Sequence, residues 1–299
     1  MLAYKMTPYY RAGALTPWGG NRLKTLFGKQ TPDERTGESL EASTLPGRES
    51  LGPDGRTLTE IAGAELPLML KLLDARETLS VQVHPDDAYA RRAEGKLGKA
   101  EAWLILHAEP EAKLVYGLLP GTKTESITPE RIEARLRWIP VQAGDILNIL
   151  PGMVHAVGPG IVLYEIQQTS DVTYRIFDWG RRDHEGKPRE LHLRQAADVV
   201  KTDLLPPKLR GELVAMEGGT ATHCLTNEHF TLSVLHAAGR LRLPGRGGFA
   251  FLTALCGGTL ERGSEIIRFA RGETYFLPHD FPDFYVAADG DLIISGNVT

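Results

Sequence analysis

Most apolar runs in this chain are no longer than a β-strand, and turn-forming residues separate them. Leu68–Leu73, Ala102–Leu106, Ile146–Ile149, Ile161–Ile166 and Val172–Phe177 hold four to six residues each. Glycine and proline, 32 and 19 of the 299 residues, fall between such runs. Strand-sized runs bounded in this way predict a mainly β fold, a sandwich or barrel with a few added helices. Helical spacing is confined to Pro85–Arg92, Thr128–Arg137 and Leu193–Lys201. The first two open on the Pro-Asp and Thr-Pro-Glu starts that suit a first helical turn.

A weak internal repeat refines the fold. Gly144-Asp145 leads through five residues to Leu150, then to Pro151-Gly152 and His155. Gly272-Glu273 leads through five residues to Pro278, then to Asp280 and Asp283. Both passages resemble the strand–turn–strand layout of the second motif of a cupin, a small double-sheet jelly roll. The expectation is two cupin-like jelly rolls, of which only the first keeps its metal position. Asp283 stands where the first has His155, and Asp280 stands at the turn glycine. A polar, proline-rich passage over Leu205–Gly219 sets the boundary. The expected division is residues 1–215 as a first cupin-like domain with small helical segments, which keeps the metal position, and 216–299 as a second, metal-free one.

The formal net charge of −4 gives no basic field for nucleic acid or an anionic membrane, so an anionic substrate must be met by local Lys and Arg. Met1–Lys5 lacks a signal-peptide apolar run, and no window approaches the ~18 apolar residues of a membrane span. A cytoplasmic protein is expected, with Cys224 and Cys256 as free thiols, since no CxxC spacing joins them.

Three segments carry metal-ligating residue types: Leu79–Pro85, Lys99–Trp103 and Pro151–His155. In the first, Ser80, Gln82 and His84 share one face of an alternating strand, and Pro85 holds His84 extended. Glu101 enters an apolar strand, where an unpaired carboxylate costs several kcal/mol and calls for a cation, either Lys99 or a metal. His155 follows a Pro-Gly turn among apolar neighbours. Each residue alone has an ordinary structural explanation, as a solvent-facing strand edge or a hydrogen-bonded core group. Together they supply two imidazoles, a carboxylate and an amide, a set that suits zinc, with manganese, iron or cobalt as alternatives. Three protein ligands with a face left open are a catalytic pattern, whereas structural zinc is closed by four. His107, His184, His192, His223, His229, His236 and His279 lie beside no matching carboxylate cluster and read as surface or core residues.

A second constellation spans Glu165–Gly180. Arg175 stands between Tyr174 and Ile176, where a guanidinium pairs internally or meets an anionic ligand, and Asp171 is placed to orient it. Lys71, inside the apolar run Leu68–Leu73, poses the same question.

These segments resemble the signatures of type I phosphomannose isomerases. The resemblance is carried by Gln82-Val83-His84-Pro85, Lys99-Ala100-Glu101-Ala102-Trp103, the Gly152-x-x-His155 turn and Gln167-Gln168-x-Ser170-Asp171-x-Thr173-Tyr174-Arg175. Pro17-Trp18-Gly19-Gly20 and Gly37-Glu38-Ser39 look like the family's opening, so the match runs in order over residues 17–180. The resemblance implies a zinc-dependent aldose–ketose isomerase of carbohydrate metabolism, interconverting mannose 6-phosphate and fructose 6-phosphate, one divalent ion per chain. It implies Gln82, His84, Glu101 and His155 as metal ligands and Arg175 as the catalytic arginine. It places Lys71, Ser80, Lys99, Glu165 and Asp171 along the active site. The chain is similar to the compact bacterial form, because it is too short for the helical insertion of longer members. One departure is Pro151, which stands one residue later than the family's turn proline.

The implied reaction moves a proton between C1 and C2 through a cis-enediol(ate). It needs a base and positive charge near O1 and O2, supplied by Arg175 and Lys99. Asp171, Glu165, a neutral Lys99 and a hydroxide on the metal are all candidates for the base. Lys71, Ser80, Lys99 and Arg175 are the expected substrate contacts. The expected partner is a sugar phosphate, with no nucleic acid or membrane, and the chain is expected to be a monomer or weak homodimer. Two rival readings are a sugar-phosphate sensor or carbohydrate-binding bicupin retired from chemistry, and a different metal-cupin enzyme, an oxygenase or another sugar-phosphate isomerase. The filled ligand positions weigh against the first, and Gln82 and Arg175 give no special support to an oxygenase.

Overall fold

The computed structural model describes residues 3–182, 185–245 and 247–297, so His184 lies outside the described residues. The strands of the first part, in chain order, are β1 (Tyr4–Met6), β2 (Tyr9–Ala12), β3 (Thr36–Ala42), β4 (Leu68–Ala75), β5 (Val81–Val83) and β6 (Glu101–Ala108). They continue as β7 (Lys113–Leu118), β8 (Leu136–Pro140), β9 (Ile146–Ile149), β10 (His155–Ala156), β11 (Ile161–Gln168) and β12 (Tyr174–Phe177). The last part adds β13 (Glu212–Met216), β14 (Gly219–Thr226), β15 (Phe230–Leu243) and β16 (Ala250–Ala254). It ends with β17 (Gly258–Arg262), β18 (Glu265–Phe269), β19 (Thr274–Leu277) and β20 (Phe284–Asn297). The helices are α1 (Arg22–Phe27), α2 (Leu58–Ala62), α3 (Asp87–Glu94) and α4 (Leu193–Val199). No described helix is long and apolar enough to cross a membrane.

Among the described residues the strands form three antiparallel sheets, as a mainly β reading requires. A six-stranded sheet runs β2-β3-β4-β11-β6-β9, and a five-stranded sheet runs β12-β5-β10-β7-β8. Leu73, Ile105, Leu147 and Leu163 of the first share one core with Leu114, Tyr116 and Ile139 of the second. The third, nine-stranded sheet holds β13 to β20, and β1 crosses over to pair with its β19.

The six-stranded sheet is covered on both faces, which is why β4 and β11 read as largely apolar runs, broken at Lys71 and Glu165. Leu70, Leu72, Tyr164 and Ile166 pack against Phe230, Phe251, Phe276 and Ile293 of the nine-stranded sheet. Each such side chain contributes roughly 1.5–3 kcal/mol when fully buried. Polar groups in this layer are matched. Tyr164 Oη and Ser295 Oγ lie 2.6 Å apart, and buried Lys29 donates to buried Glu41 at 2.6 Å.

The repeated turn is visible in the backbone. Gly144 and Gly272 have φ of +90° and +86°, and Gly152 and Asp280 have φ of +90° and +58°. Asp283 accepts from Arg242 Nη2 at 2.7 Å and from the Gly245 N–H at 2.8 Å.

Two helices expected from sequence are present. The first begins two residues later than Pro85, because Asp86 caps it by accepting the Tyr89 N–H. The expected helix over Thr128–Arg137 is absent. Turns and a 3-10 segment at Glu133–Arg135 lead directly into β8, which pairs with β7. Strand pairing claims Leu136 onward, and the residues left before it are too few to repay helix nucleation. Both cysteines are free thiols.

Candidate active site

Neighbouring strands set the site's two walls. Across the five-stranded sheet, Arg175 of β12 is paired with Gln82 of β5, Gln82 with His155 of β10, and His155 with Tyr116 of β7. Across the six-stranded sheet, Lys71 of β4 is paired with Glu165 of β11, and Glu165 with Trp103 of β6. Two residues along, Glu101 is paired with Gln167. Period-2 alternation therefore turns the charged minority of each apolar strand to one interior face.

His84, Glu101 and His155 are buried, and one ligand-type atom from each lies within 4.8 Å of the others. The backbone fixes both imidazoles. His84 Nδ1 donates to the Val172 carbonyl at 3.0 Å, and His155 Nδ1 donates to the Met153 carbonyl at 2.9 Å. Each ring thereby presents an unprotonated Nε2 to the centre. His84 Nε2 lies 3.5 Å from Glu101 Oε2, and His155 Nε2 lies 3.4 Å from Glu101 Oε1. Glu101 Oε1 has no hydrogen-bond donor among the described residues.

Lone pairs facing one another in a buried centre require a cation between them. Lys99 Nζ serves part of this need. It donates to His84 Nε2 at 3.0 Å and forms a close ion pair with Glu101. The Gln82 amide N–H donates to His155 Nε2 at 3.3 Å, and turning the amide over would present its oxygen to the same centre. The donor set fits a divalent metal: two neutral imidazoles, one carboxylate and one amide oxygen.

Local structure holds these groups in place. Gly152 takes a left-handed φ of +90° in the turn before His155, and its N–H donates to the His84 carbonyl at 2.8 Å. A side chain at Gly152 would meet Val199 O and Lys201 at 2.9 Å. The segment after α3 folds back so that the Lys99 N–H reaches the Pro85 carbonyl at 3.0 Å. The Gln168 side chain accepts from the Ala100 N–H at 2.9 Å, which aligns the start of β6.

Electrostatics follow from burial and pairing. Burial holds the His84 imidazole well below its ordinary value, reinforced by Lys99, and brings His155 down to about 4. Burial and the nearby Glu165 charge push the Glu101 carboxyl up, against the pull of Lys99. Burial would raise Glu165 too, but Lys71 and Lys99 outweigh it and hold this carboxyl low. Lys71 Nζ lies 3.1 Å from Glu165 Oε1 and 4.0 Å from Glu38 Oε2. Glu165 Oε2 accepts from Trp103 Nε1 at 2.8 Å.

A cleft of about 330 Å³ opens onto this centre, and Lys71, Ser80, Gln82, Lys99, Glu165, Asp171 and Arg175 all line it. Arg175 Nε donates to Ser80 Oγ at 3.3 Å and its Nη1 to the Glu190 carbonyl at 2.8 Å. The Asp171–Arg175 pairing expected from sequence is replaced by other partners. Asp171 accepts from Lys96 at 2.6 Å and lies 3.6 Å from Arg48, because the loop carrying Lys96 and the segment carrying Arg48 converge on it.

The cleft also holds residues to which sequence reading gave no site role: Arg11, Trp18, Glu38, Arg48, Arg189 and His192. Trp18 and Glu38 sit in segments that carried the family resemblance. His192 was expected on the surface or in the core. Instead it lines the cleft, with Nδ1 accepting the Arg175 N–H at 3.2 Å. Arg189 lies in a charged loop with no periodicity to mark it.

Residues 46–99 match the model of the phosphomannose isomerase type I catalytic domain. The chain is 33% identical over 297 residues to a mannose-6-phosphate isomerase of Streptococcus mutans, covering 93% of this chain and 94% of that protein. It is 34% identical over 298 residues to a mannose-6-phosphate isomerase of Bacillus subtilis, with the same coverage. A crystal structure of the Bacillus subtilis mannose 6-phosphate isomerase superposes with a TM-score of 0.92 at 31% identity, covering 99% of both chains. The fold is also that of a mannose 6-phosphate isomerase bound with zinc and yttrium, with a TM-score of 0.76 at 16% identity over all of both chains.

Proposed function

On the footing that the chain belongs to the mannose-6-phosphate isomerase family, we propose that it interconverts mannose 6-phosphate and fructose 6-phosphate with zinc held by Gln82, His84, Glu101 and His155. The observation that carries the metal dependence is the buried convergence of two Nε2 lone pairs on Glu101, whose Oε1 has no donor among the described residues. When bound, zinc supplies Lewis acidity toward a substrate oxygen near C1 and C2.

The chain's own residues carry the remaining steps. Lys99, beside the ligand set, moves the proton between C1 and C2 by the cis-enediol(ate) route. Its ammonium form and the Arg175 guanidinium place fixed positive charge where O1 and O2 become negative. Ser80 holds Arg175 in position. Lys71 and Glu165 form a buried pair that lines the sugar's path, and Trp103 orients Glu165. Asp171 divides its charge between Lys96 and Arg48, so its role is to fix the cleft wall. All these groups lie in residues 1–215, the proposed catalytic domain, and residues 216–299 support it from outside. A phosphorylated sugar as substrate supports a cytoplasmic setting for the proposed activity.

The test is conversion of mannose 6-phosphate by protein stripped with chelator and by the same protein with zinc restored. The proposal expects activity to vanish and return. Full activity after stripping would remove the metal from the reaction, and no activity with any divalent ion would remove the isomerase assignment.

A further inference from the structure

The cations of the cleft differ in how they are neutralised. Arg11 donates to Glu38 at 2.9 Å, Lys71 pairs with Glu165, Lys99 with Glu101, and Arg48 with Asp171. Each has a carboxylate partner, in the cleft wall for Arg11, Lys71 and Arg48 and behind it, at Glu101, for Lys99. Arg175 makes no ion pair among the described residues, and its side-chain bonds go to a hydroxyl and a carbonyl. Arg189 shares its carboxylate: Asp178 takes Arg189 Nε at 2.7 Å and Nη2 at 2.5 Å, and also takes Arg181 Nη1 at 3.1 Å. Arg181 has a second carboxylate, Glu77, at 3.7 Å, so the positive charge left without an ion pair in the cleft is that of Arg175, with Arg189 at its end.

The geometry of Arg189 suits an anion. Asp178 is buried and grips the guanidinium along its Nε–Nη2 edge, which fixes the plane and leaves the Nη1 donors for another acceptor. Arg175 lies one strand from the metal ligand Gln82. Arg189 is tethered three residues beyond Arg175, at Asp178, so the end of the cleft it marks is the one away from the reacting carbons.

We propose that Arg189, positioned by Asp178, binds the phosphate of the sugar phosphate and determines the preference for a phosphorylated over a neutral sugar. This assignment rests on the isomerase reading above and adds to it the residue that recognises the phosphate. The phosphate dianion supplies the charge that Arg175 lacks, and the Nη1–Nη2 edge that Arg189 has left beside Asp178 fits two of its oxygens at once. Proximity of Arg189 is consistent with the lowered affinity of Arg175 for its proton, of which burial is the largest cause and Arg189 the next.

The test uses the zinc-loaded enzyme and its Arg189→Gln and Arg189→Lys variants, with inorganic phosphate as the second probe. Arg189→Gln is expected to raise KM for mannose 6-phosphate, and to weaken competitive inhibition by phosphate, by roughly ten- to hundredfold. Arg189→Lys keeps the charge without the fork and is expected to recover part of both losses. Unchanged KM and phosphate inhibition in Arg189→Gln would overturn the proposal. So would a fall in kcat with both binding constants intact, which would show that Arg189 only braces the loop. A parent enzyme inactive toward mannose 6-phosphate with every metal would instead overturn the isomerase reading.

Discussion

His84 Nδ1 donates to the carbonyl oxygen of Val172, 88 residues further along the chain, at 3.0 Å. This bond settles which ring nitrogen of His84 faces Glu101, and it ties the segment after β5 to the one that ends in Arg175. The same device recurs over two residues, where His155 donates to Met153. The orientation of both candidate ligands is thus set by backbone carbonyls, and under the proposed assignment changing either should act on metal binding and activity together.

Zinc should stabilise the folded chain, because the unfolded chain has no assembled ligand set. At a free zinc concentration one hundred times Kd the gain is about 2.7 kcal/mol. Thermal unfolding followed with and without chelator should show the shift in the parent and none in His155→Ala. A His155→Ala variant with stoichiometric zinc and a parent-like shift would break the ligand assignment.

Arg175→Ala should lower kcat by roughly 10²–10³-fold, the usual cost of losing one preorganised charge beside a developing anion. Zinc content should stay at one ion per chain, since Arg175 contacts Ser80 and the Glu190 carbonyl and none of the ligand atoms. Parent-like turnover would take Arg175 out of the chemistry.

Lys71→Met should destabilise the protein by roughly 3–5 kcal/mol in urea unfolding, because it strands a buried carboxylate. Glu165 Oε1 lies 3.1 Å from Lys71 in a wall that solvent barely reaches. Adding Glu165→Gln should return part of that loss. A double variant no more stable than Lys71→Met alone would show that the pair is uncoupled.

The same carboxylate predicts a pH dependence. Although burial works against it, Lys71 and Lys99 hold the Glu165 pKa below its ordinary 4.5. A depressed folded pKa means that ionised Glu165 stabilises the fold above the ordinary carboxylate range. That contribution is lost as pH falls through the lower folded value. Unfolding free energies of the parent and Glu165→Gln should therefore differ by a constant above about pH 5.5 and converge in more acid solution. Divergence on acidification would give the shift the opposite sign.

Gly152→Ala should cost roughly 1–3 kcal/mol, from a strained left-handed backbone and a Cβ placed 2.9 Å from Val199 O. Since this turn precedes His155, zinc affinity should fall with stability. Calorimetric zinc titration of the variant checks this, and parent-like affinity would uncouple the turn from the site.

Much of the candidate site's geometry was legible because polar residues stand out as exceptions to the apolar pattern of strands. Lys71 and Glu165 interrupt apolar runs that a doubly covered sheet requires, so their charges had to be paired or used. Gln82 and His84 share a face by alternation, and the Pro-Gly turn before His155 shows its left-handed glycine in the sequence. Thr128–Arg137 was misread because local helix signals there yield to the pairing of β8 with β7, a contact between segments that no window contains.

Local order along the chain thus determined the β architecture, the repeated turn, and that Ser80, Gln82 and His84 share one strand face while Lys71 and Glu101 enter apolar strands. Tertiary structure alone decided partnership. It took Asp171 from Arg175 and gave it to Lys96 and Arg48, brought His192 to the cleft, and set Arg189 on Asp178. Charge pairing depends on distances of a few ångströms between segments far apart in sequence, whereas period-2 burial is written into adjacent residues.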